Sequence, residues 1–251
     1  MKERILEINS YSVQSVINAQ NGGAHRVELC DNFPEGGTTP SYATILLARE
    51  KIDIQLFVIV RPRGGDFLYS ELEYEIMKKD IEICKKLGVD GVVIGILNAD
   101  GTVDKERTAA LVRLARPMGV TFHRAFDMTR DPFEALNDLV ETGVDRVLTS
   151  GQEGSCIEGK ELIRQLVEKS GDRIIIMPGA GLDENNLEDF ARYTGAREFH
   201  CTARTLIEGK MEYRNPRVSM GGIPDVPEYA VYQVDEDKVR KHAEILKNMD
   251  S

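Results

Sequence analysis

Thr142-Gly143-Val144-Asp145-Arg146-Val147-Leu148-Thr149 is the stretch on which the fold turns. An amphipathic segment stops at a glycine, two residues pass, and an apolar run rich in branched side chains begins. Leu87-Gly88-Val89-Asp90 and Thr194-Gly195-Ala196-Arg197 are near-copies at the same kind of junction. Turns this short between a helix and a strand return the chain to the same edge each time, which makes the strands parallel.

Outward from these turns the alternation runs from end to end. Strand-like runs occupy Ile5 to Ile8, Arg26 to Cys30, Ile54 to Val60, Gly91 to Gly95, Val120 to Arg124, Arg146 to Thr149, Ile174 to Met177 and Glu198 to Cys201. Helical stretches fall near 11–20, 41–51, 70–87, 104–116, 132–142, 158–170, 184–194 and 235–248, with Asp131-Pro132 as a cap followed by a first-turn proline. Eight β-α units in 251 residues predict an α/β fold, a (β/α)8 TIM barrel in a single domain. A doubly wound open sheet is the alternative, but Asn9-Ser10-Tyr11-Ser12 stands where its glycine-rich turn belongs. Residues 208–234, with Pro216, Pro224 and Pro227, form a long loop after the eighth strand, suited to a lid, a wrap over the barrel end or an oligomer contact through Tyr213, Tyr229 and Tyr232.

Composition narrows the partners. Lys and Arg number 32 against 42 Asp and Glu, a formal charge of -10, which repels a phosphate backbone or an anionic membrane. Apolar runs such as Ile54 to Val60 are far short of the roughly 18 residues a membrane span needs. Met1-Lys2-Glu3-Arg4 leads straight into a strand with no signal region, so a cytoplasmic location is expected. Four scattered cysteines without a CxxC pair predict reduced thiols: Cys84 at helical spacing from Met77 and Ile81, Cys156 exposed or in a loop.

Side chains on the inner face near the C-terminal strand ends point into a barrel's site. Parity turns Glu7, Asn9, Glu28 and Cys30 inward. Arg61, Arg63, Arg124 and Arg204 gather at the same rim with His123 and His200, and Gly179 and Gly181 stand where the seventh strand meets its helix. Arginines beside a glycine-rich turn point to a small anion, a phosphate above all. Glu28 or Glu7 with His123 is then the candidate acid-base set. The same carboxylates pairing with Arg26, Arg61 or Arg124 in a buried ion layer is the chemically idle alternative. No lysine lies at a strand end before Arg204, which argues against Schiff-base chemistry. Glu7, Glu28 and His123 as ligands of a hard metal form an incomplete set. Cys30 and Cys201 end strands on either side of the first, about 10 Å apart at two strand spacings. That is too far for a disulfide but within reach of one soft metal shared with His123 or His200. If His200 points inward, however, Cys201 points out.

Seven runs carry a family likeness: Val27-Glu28-Leu29-Cys30, Gly36-Gly37-Thr38-Thr39-Pro40-Ser41, Arg61-Pro62-Arg63-Gly64-Gly65-Asp66-Phe67, Phe122-His123-Arg124-Ala125-Phe126-Asp127, Leu148-Thr149-Ser150-Gly151, Met177-Pro178-Gly179-Ala180-Gly181 and Glu198-Phe199-His200. Together and in this order they resemble the CutC family. The resemblance implies a cytoplasmic TIM barrel of copper homeostasis with cuprous ion as ligand, Cys30 being its first donor. His123, His200 or Cys201 would be the second donor. An enzyme acting on a small anionic or phosphorylated metabolite, held by Arg61, Arg63 and Arg204, is the alternative function.

Overall fold

A computed structural model describes residues 3–218, 220 and 227–250. The strands are β1 (Ile5–Ser10), β2 (Arg26–Leu29), β3 (Gln55–Ile59), β4 (Gly91–Ile94), β5 (Gly119–Phe122), β6 (Arg146–Thr149), β7 (Ile175–Pro178) and β8 (Glu198–Cys201). The helices between them are α1 (Val13–Asn21), α2 (Tyr42–Lys51), α3 (Glu71–Lys86), α4 (Lys105–Ala115), α5 (Pro132–Thr142), α6 (Lys160–Ser170) and α7 (Leu187–Thr194). The strands pair in parallel in the order β7-β6-β5-β4-β3-β2-β1-β8, and a Gly179–His200 bridge closes β7 onto β8. This is the (β/α)8 barrel expected from the repeated turns.

The turns themselves have a second job. Gly88, Gly143 and Gly195 take positive φ values of 70°, 79° and 73°, the left-handed conformation that ends a helix most cheaply at glycine. The aspartates that follow reach sideways: Asp90 accepts from the Leu56 amide at 2.8 Å and Asp145 from the Val120 amide at 2.7 Å. Each caps the open start of a neighbouring strand.

The segment predicted as one long loop carries a strand at each end. Its ends form an antiparallel ribbon of β9 (Arg204–Glu208) and β10 (Ala230–Val234), after which α8 (Glu236–Asp250) packs beside α1 and α7. The β-branched Thr205 and Ile207 suit the pairing, while prolines 216 and 227 lie outside it. Pro224 lies outside the described residues.

Two cores share the sheet. Leu6, Ile8, Val27, Leu29, Cys84 and Cys201 belong to the layer between strands and helices. Inside the barrel, Cys30, Phe57, Ile59 and Val93 form a smaller cluster. Phe57 fills the interior because its neighbours are glycines: a Cβ on Gly91 would lie 2.4 Å from the Phe57 ring, and one on Gly119 would lie 2.9 Å from it. Overpacking of this kind costs about 1–3 kcal/mol. Gly91→Ala is expected to lose that much in urea denaturation and to recover part of it when combined with Phe57→Leu; an unchanged midpoint in the single variant would contradict the packing described.

Beneath the mouth lies a charged layer. Glu7 stands opposite Arg26 in the β1–β2 register and opposite His200 in the β1–β8 register. Arg26 pairs with Glu7 and, at 2.6 Å, with Glu198, which also holds Arg146 at 2.5 Å; both guanidiniums lie over Phe57. Of the ion pairs foreseen as chemically idle, only Glu7–Arg26 forms.

Candidate functional site

A cavity of about 400 Å³ opens at the C-terminal ends of the strands. Its walls include Asn9, Glu28, Arg61, His123, His200 and Arg204, with Tyr11, Phe67 and Ala180 beside them. A larger cleft of about 490 Å³ lies at the opposite end, lined by Ile175, Gly195 and Glu198 among others. Barrels of this kind keep their chemistry at the C-terminal face, so the smaller cavity is the candidate site.

The four rim arginines separate by what already holds them. Arg61 is buried, at 6% exposure, and gives its terminal nitrogens to the carbonyls of Glu35, Gly37 and Gly65 at 2.7, 2.8 and 2.9 Å. Among the described residues its Nε has no hydrogen-bond partner and no carboxylate pairs with it. Arg204 is stacked on Phe33 and Tyr232, 4.2 and 5.1 Å from their centroids, again with no acid paired to it. Arg124, by contrast, is neutralised by Asp127 at 2.8 Å and bonded to Ser150. Arg63 turns away to Glu73, Asp66 and the Leu68 carbonyl, so its expected place in an anion site is corrected. Asp66 and Glu73 stand 3 and 10 residues from Arg63, and only the folded loop brings both to Arg63 and neither to Arg61, which is why the motif alone could not sort the two arginines.

Gly179 and Gly181 also require correction. The Gly179 amide donates to the Thr149 carbonyl at 3.0 Å. A Cβ there would meet Leu148 at 2.7 Å and His200 at 3.2 Å, so glycine is needed where the barrel closes. Gly181 packs against Ser155 and its carbonyl accepts from Asn186 at 2.9 Å, while α7 begins only at Leu187 with two acids in its first turn. The glycine turn is structural, and of these three residues only Ala180 lines the mouth.

His123 caps the short helical turn after β5. Its Nδ1 accepts the Ala125 amide hydrogen at 3.1 Å, which places the ring proton on Nε2. Nε2 is buried without a hydrogen-bond partner among the described residues, and the ring tilts against Phe67 with centroids 5.0 Å apart. Gly95 makes room, since a Cβ there would come within 2.3 Å of the ring. Burial, and then the nearby Arg61 charge, push His123 down to about 3. The ring is therefore a neutral N–H donor. As a metal ligand through Nε2 it would need its proton on Nδ1, aimed at the Ala125 amide hydrogen, so the ligand role expected for His123 is corrected.

His200 sits across the mouth. Its Nδ1 is 2.7 Å from Glu7 Oε1, and its Nε2 is 3.7 Å from Glu28 Oε2. Burial drives Glu7 upward, but Arg26 and the His200 hydrogen bond outweigh it and hold the carboxyl well below its usual range. Burial lifts Glu28, His200 opposes, and the net direction is up. Burial lowers His200, but the Glu7 hydrogen bond and the Glu28 charge reverse the sign and raise it. Asn9 Nδ2 reaches Glu28 Oε2 at 2.8 Å and Cys30 Sγ at 3.5 Å. Asn9 was placed inward by parity, yet its bridging of the two side chains needed the register that sets it opposite Glu28.

The cysteines do not converge. Cys30 is buried beneath Gly37, whose added Cβ would lie 3.2 Å from Sγ, and burial and Glu28 push its thiol well up. Cys201 belongs to the outer layer beside the helices, so it cannot share an ion with Cys30 across the sheet. Cys156 is fully buried, not exposed, and packs in that same outer layer. Among the described residues no group of three or more His, Cys, Asp and Glu is arranged to hold a metal ion, which also leaves the Glu7, Glu28 and His123 set unsupported. Nor is any described helix long and apolar enough to cross a membrane.

Known proteins resemble this chain over most of its length. The model of the CutC family matches residues 4–205. A CutC family protein of Parabacteroides distasonis is 51% identical over 96% of this chain and 99% of its own length. The human copper homeostasis protein cutC homolog is 46% identical over 98% of this chain and 90% of its own. The CutC crystal structure from Streptococcus agalactiae superposes with a TM-score of 0.75 at 35% identity, covering 79% of this chain and 98% of that one. With a matched model over most of its length, near-complete relatives at about half identity and the barrel in common, the chain belongs to the CutC family of copper homeostasis proteins.

Proposed function

We propose that the barrel mouth binds a small organic anion and exchanges protons with it. The observation that carries this is Arg61: a guanidinium at 6% exposure, without a carboxylate, on the wall of the cavity. Three backbone carbonyls accept from Arg61 without neutralising its charge, and a bound anion would supply that neutralisation. Arg204 adds a second cation, and among the described residues no acid pairs with it and no group bonds the His123 Nε2–H. Glu28 is the titratable group beside them, as the choice of Glu28 and His123 for acid-base work requires.

Thermal melting with inorganic phosphate, dihydroxyacetone phosphate and pyruvate tests this. A ligand present at a hundred times its Kd stabilises by about 2.7 kcal/mol, which moves the melting temperature by several degrees. At least one of the three is expected to do so, with the effect lost in Arg61→Ala and weakened in Arg204→Ala, while Arg63→Ala keeps it. Equal stabilisation of wild type and Arg61→Ala would refute the assignment.

Cuprous ion as cargo is the second reading, supported by the name of the human relative and by Cys30 as the one cysteine of the inner cluster. Cu(I) favours thiolate, and the raised pKa of Cys30 works against it near neutral pH. Competition with a chromogenic Cu(I) chelator is expected to give no more than one ion per chain, lost in Cys30→Ser and unchanged in Cys201→Ser. Retention of the ion by Cys30→Ser would remove this reading.

A further inference from the structure

We propose that Glu28 and His200, held in place by Glu7 and Arg26, act as a proton-sharing pair that enolises the bound anion while His123 polarises its carbonyl. This rests on the anion site above and names its substrate class: a small anion bearing a carbonyl with hydrogen on the adjacent carbon.

Register builds the pair. Because Glu7 faces His200 on one side and Arg26 on the other, a single inward row on β8, β1 and β2 carries imidazole, carboxylate and guanidinium in order. The next inward row sets Asn9 opposite Glu28. Glu7 Oε1 accepts from His200 Nδ1 at 2.7 Å, which fixes the ring with Nε2 facing Glu28 Oε2 at 3.7 Å. That gap is longer than a hydrogen bond, so one proton passes between the two groups only through an intervening atom. Both groups line the cavity, so the substrate can supply that atom. Glu7 is a positioning residue: it lies outside the cavity wall and acts through the ring.

The step balances as follows. With the shared proton on His200 Nε2, Glu28 is a carboxylate and removes a proton from the carbon next to the carbonyl. The C–H pair becomes the C=C bond, and the carbonyl π pair moves onto oxygen, where the His123 Nε2–H stabilises it. His200 then delivers its proton to the oxygen or to the neighbouring carbon, and the proton on Glu28 resets the pair. A neutral imidazole is a suitable electrophile for an enolate oxygen, since it offers an N–H without becoming acidic enough to lose it. Nothing in the step needs an oxidant or a second reactant.

The test is proton exchange in D2O followed by NMR, with dihydroxyacetone phosphate and pyruvate as probes. Whichever probe stabilises the wild-type protein is expected to lose its carbon-bound hydrogens at least a hundredfold faster than without protein. Glu28→Gln and His200→Gln should each abolish the gain while melting experiments still show binding. Glu7→Gln should lower the exchange kcat about tenfold with the probe's KM unchanged, because the His200 ring loses the acceptor that fixes its orientation. If Glu7→Gln does not fold, His200→Gln decides alone. A probe that binds yet does not exchange, or exchange that survives Glu28→Gln, overturns the proposal and leaves the anion site standing. If phosphate and both probes all fail to bind, the anion site falls and this chemistry with it.

Discussion

Arg26→Met is expected to destabilise the protein by about 3–5 kcal/mol, the cost of breaking a buried ion pair from one side. Arg26 is almost fully buried and joins Glu7 to Glu198, with a further contact to the Met177 sulfur at 3.3 Å. Methionine fills much of the same space but leaves Glu7 facing His200 alone and Glu198 facing Arg146 alone. A domain of ordinary stability has about 5–15 kcal/mol in total, so a loss of this size removes a large share of it. Arg146→Met should cost less, because Glu198 then keeps Arg26. Urea denaturation of the two variants checks both the size and the order. A loss below about 1 kcal/mol for Arg26→Met would show that the layer is not the closed network described.

Acid is expected to unfold the protein earlier than its carboxylates alone would dictate, and His123 is the main reason. Its folded pKa is depressed from 6.5 to about 3 by burial and by Arg61. The unfolded chain therefore binds a proton that the folded chain refuses throughout that window, and stability falls as pH drops from about 6.5 towards 3. Each unit of depression is worth about 1.4 kcal/mol, so several kcal/mol are at stake. His242 in α8 acts in the same direction: burial lowers it, and neither ring nitrogen has a hydrogen-bond partner among the described residues. Glu7 adds its loss only below about 4.5, where the unfolded carboxyl begins to take up protons first. Glu28 and His200, both raised, have the opposite sign and favour the folded state as pH falls through their own windows. His123→Gln should flatten the stability curve between pH 6 and 4, and His242→Leu should do so to a smaller extent. An unchanged slope in His123→Gln would mean that the ring is charged in the folded protein.

The strands and helices were legible because their signals are local. Turns such as Thr142-Gly143-Val144-Asp145 combine a glycine stop with a branched run, and the barrel follows from repeating them. Inward and outward faces were legible for the same reason: alternation along a strand is a property of the chain itself. It put Glu7, Asn9, Glu28 and Cys30 inside, and it warned that His200 and Cys201 could not both point there. The ribbon of β9 and β10 was missed, since its two strands are separated by 21 residues, from Gly209 to Tyr229, that carry no short hairpin signal.

Sequence by itself determined the eight β-α units, the family motifs and the rim on which charged residues collect. Tertiary structure alone decided which of those charges are free. Among the described residues Arg61 and Arg204 lack acidic partners, whereas Asp127 neutralises Arg124 and Glu73 and Asp66 draw Arg63 away. It also decided that Gly179 closes the barrel and that the Ala125 amide sets the proton on His123. The physical reason is one of range: periodicity and turn chemistry act between residues a few places apart. The charge and proton state of a side chain depend instead on groups brought to within about 3–4 Å from distant parts of the chain, and only strand register and loop packing bring them there.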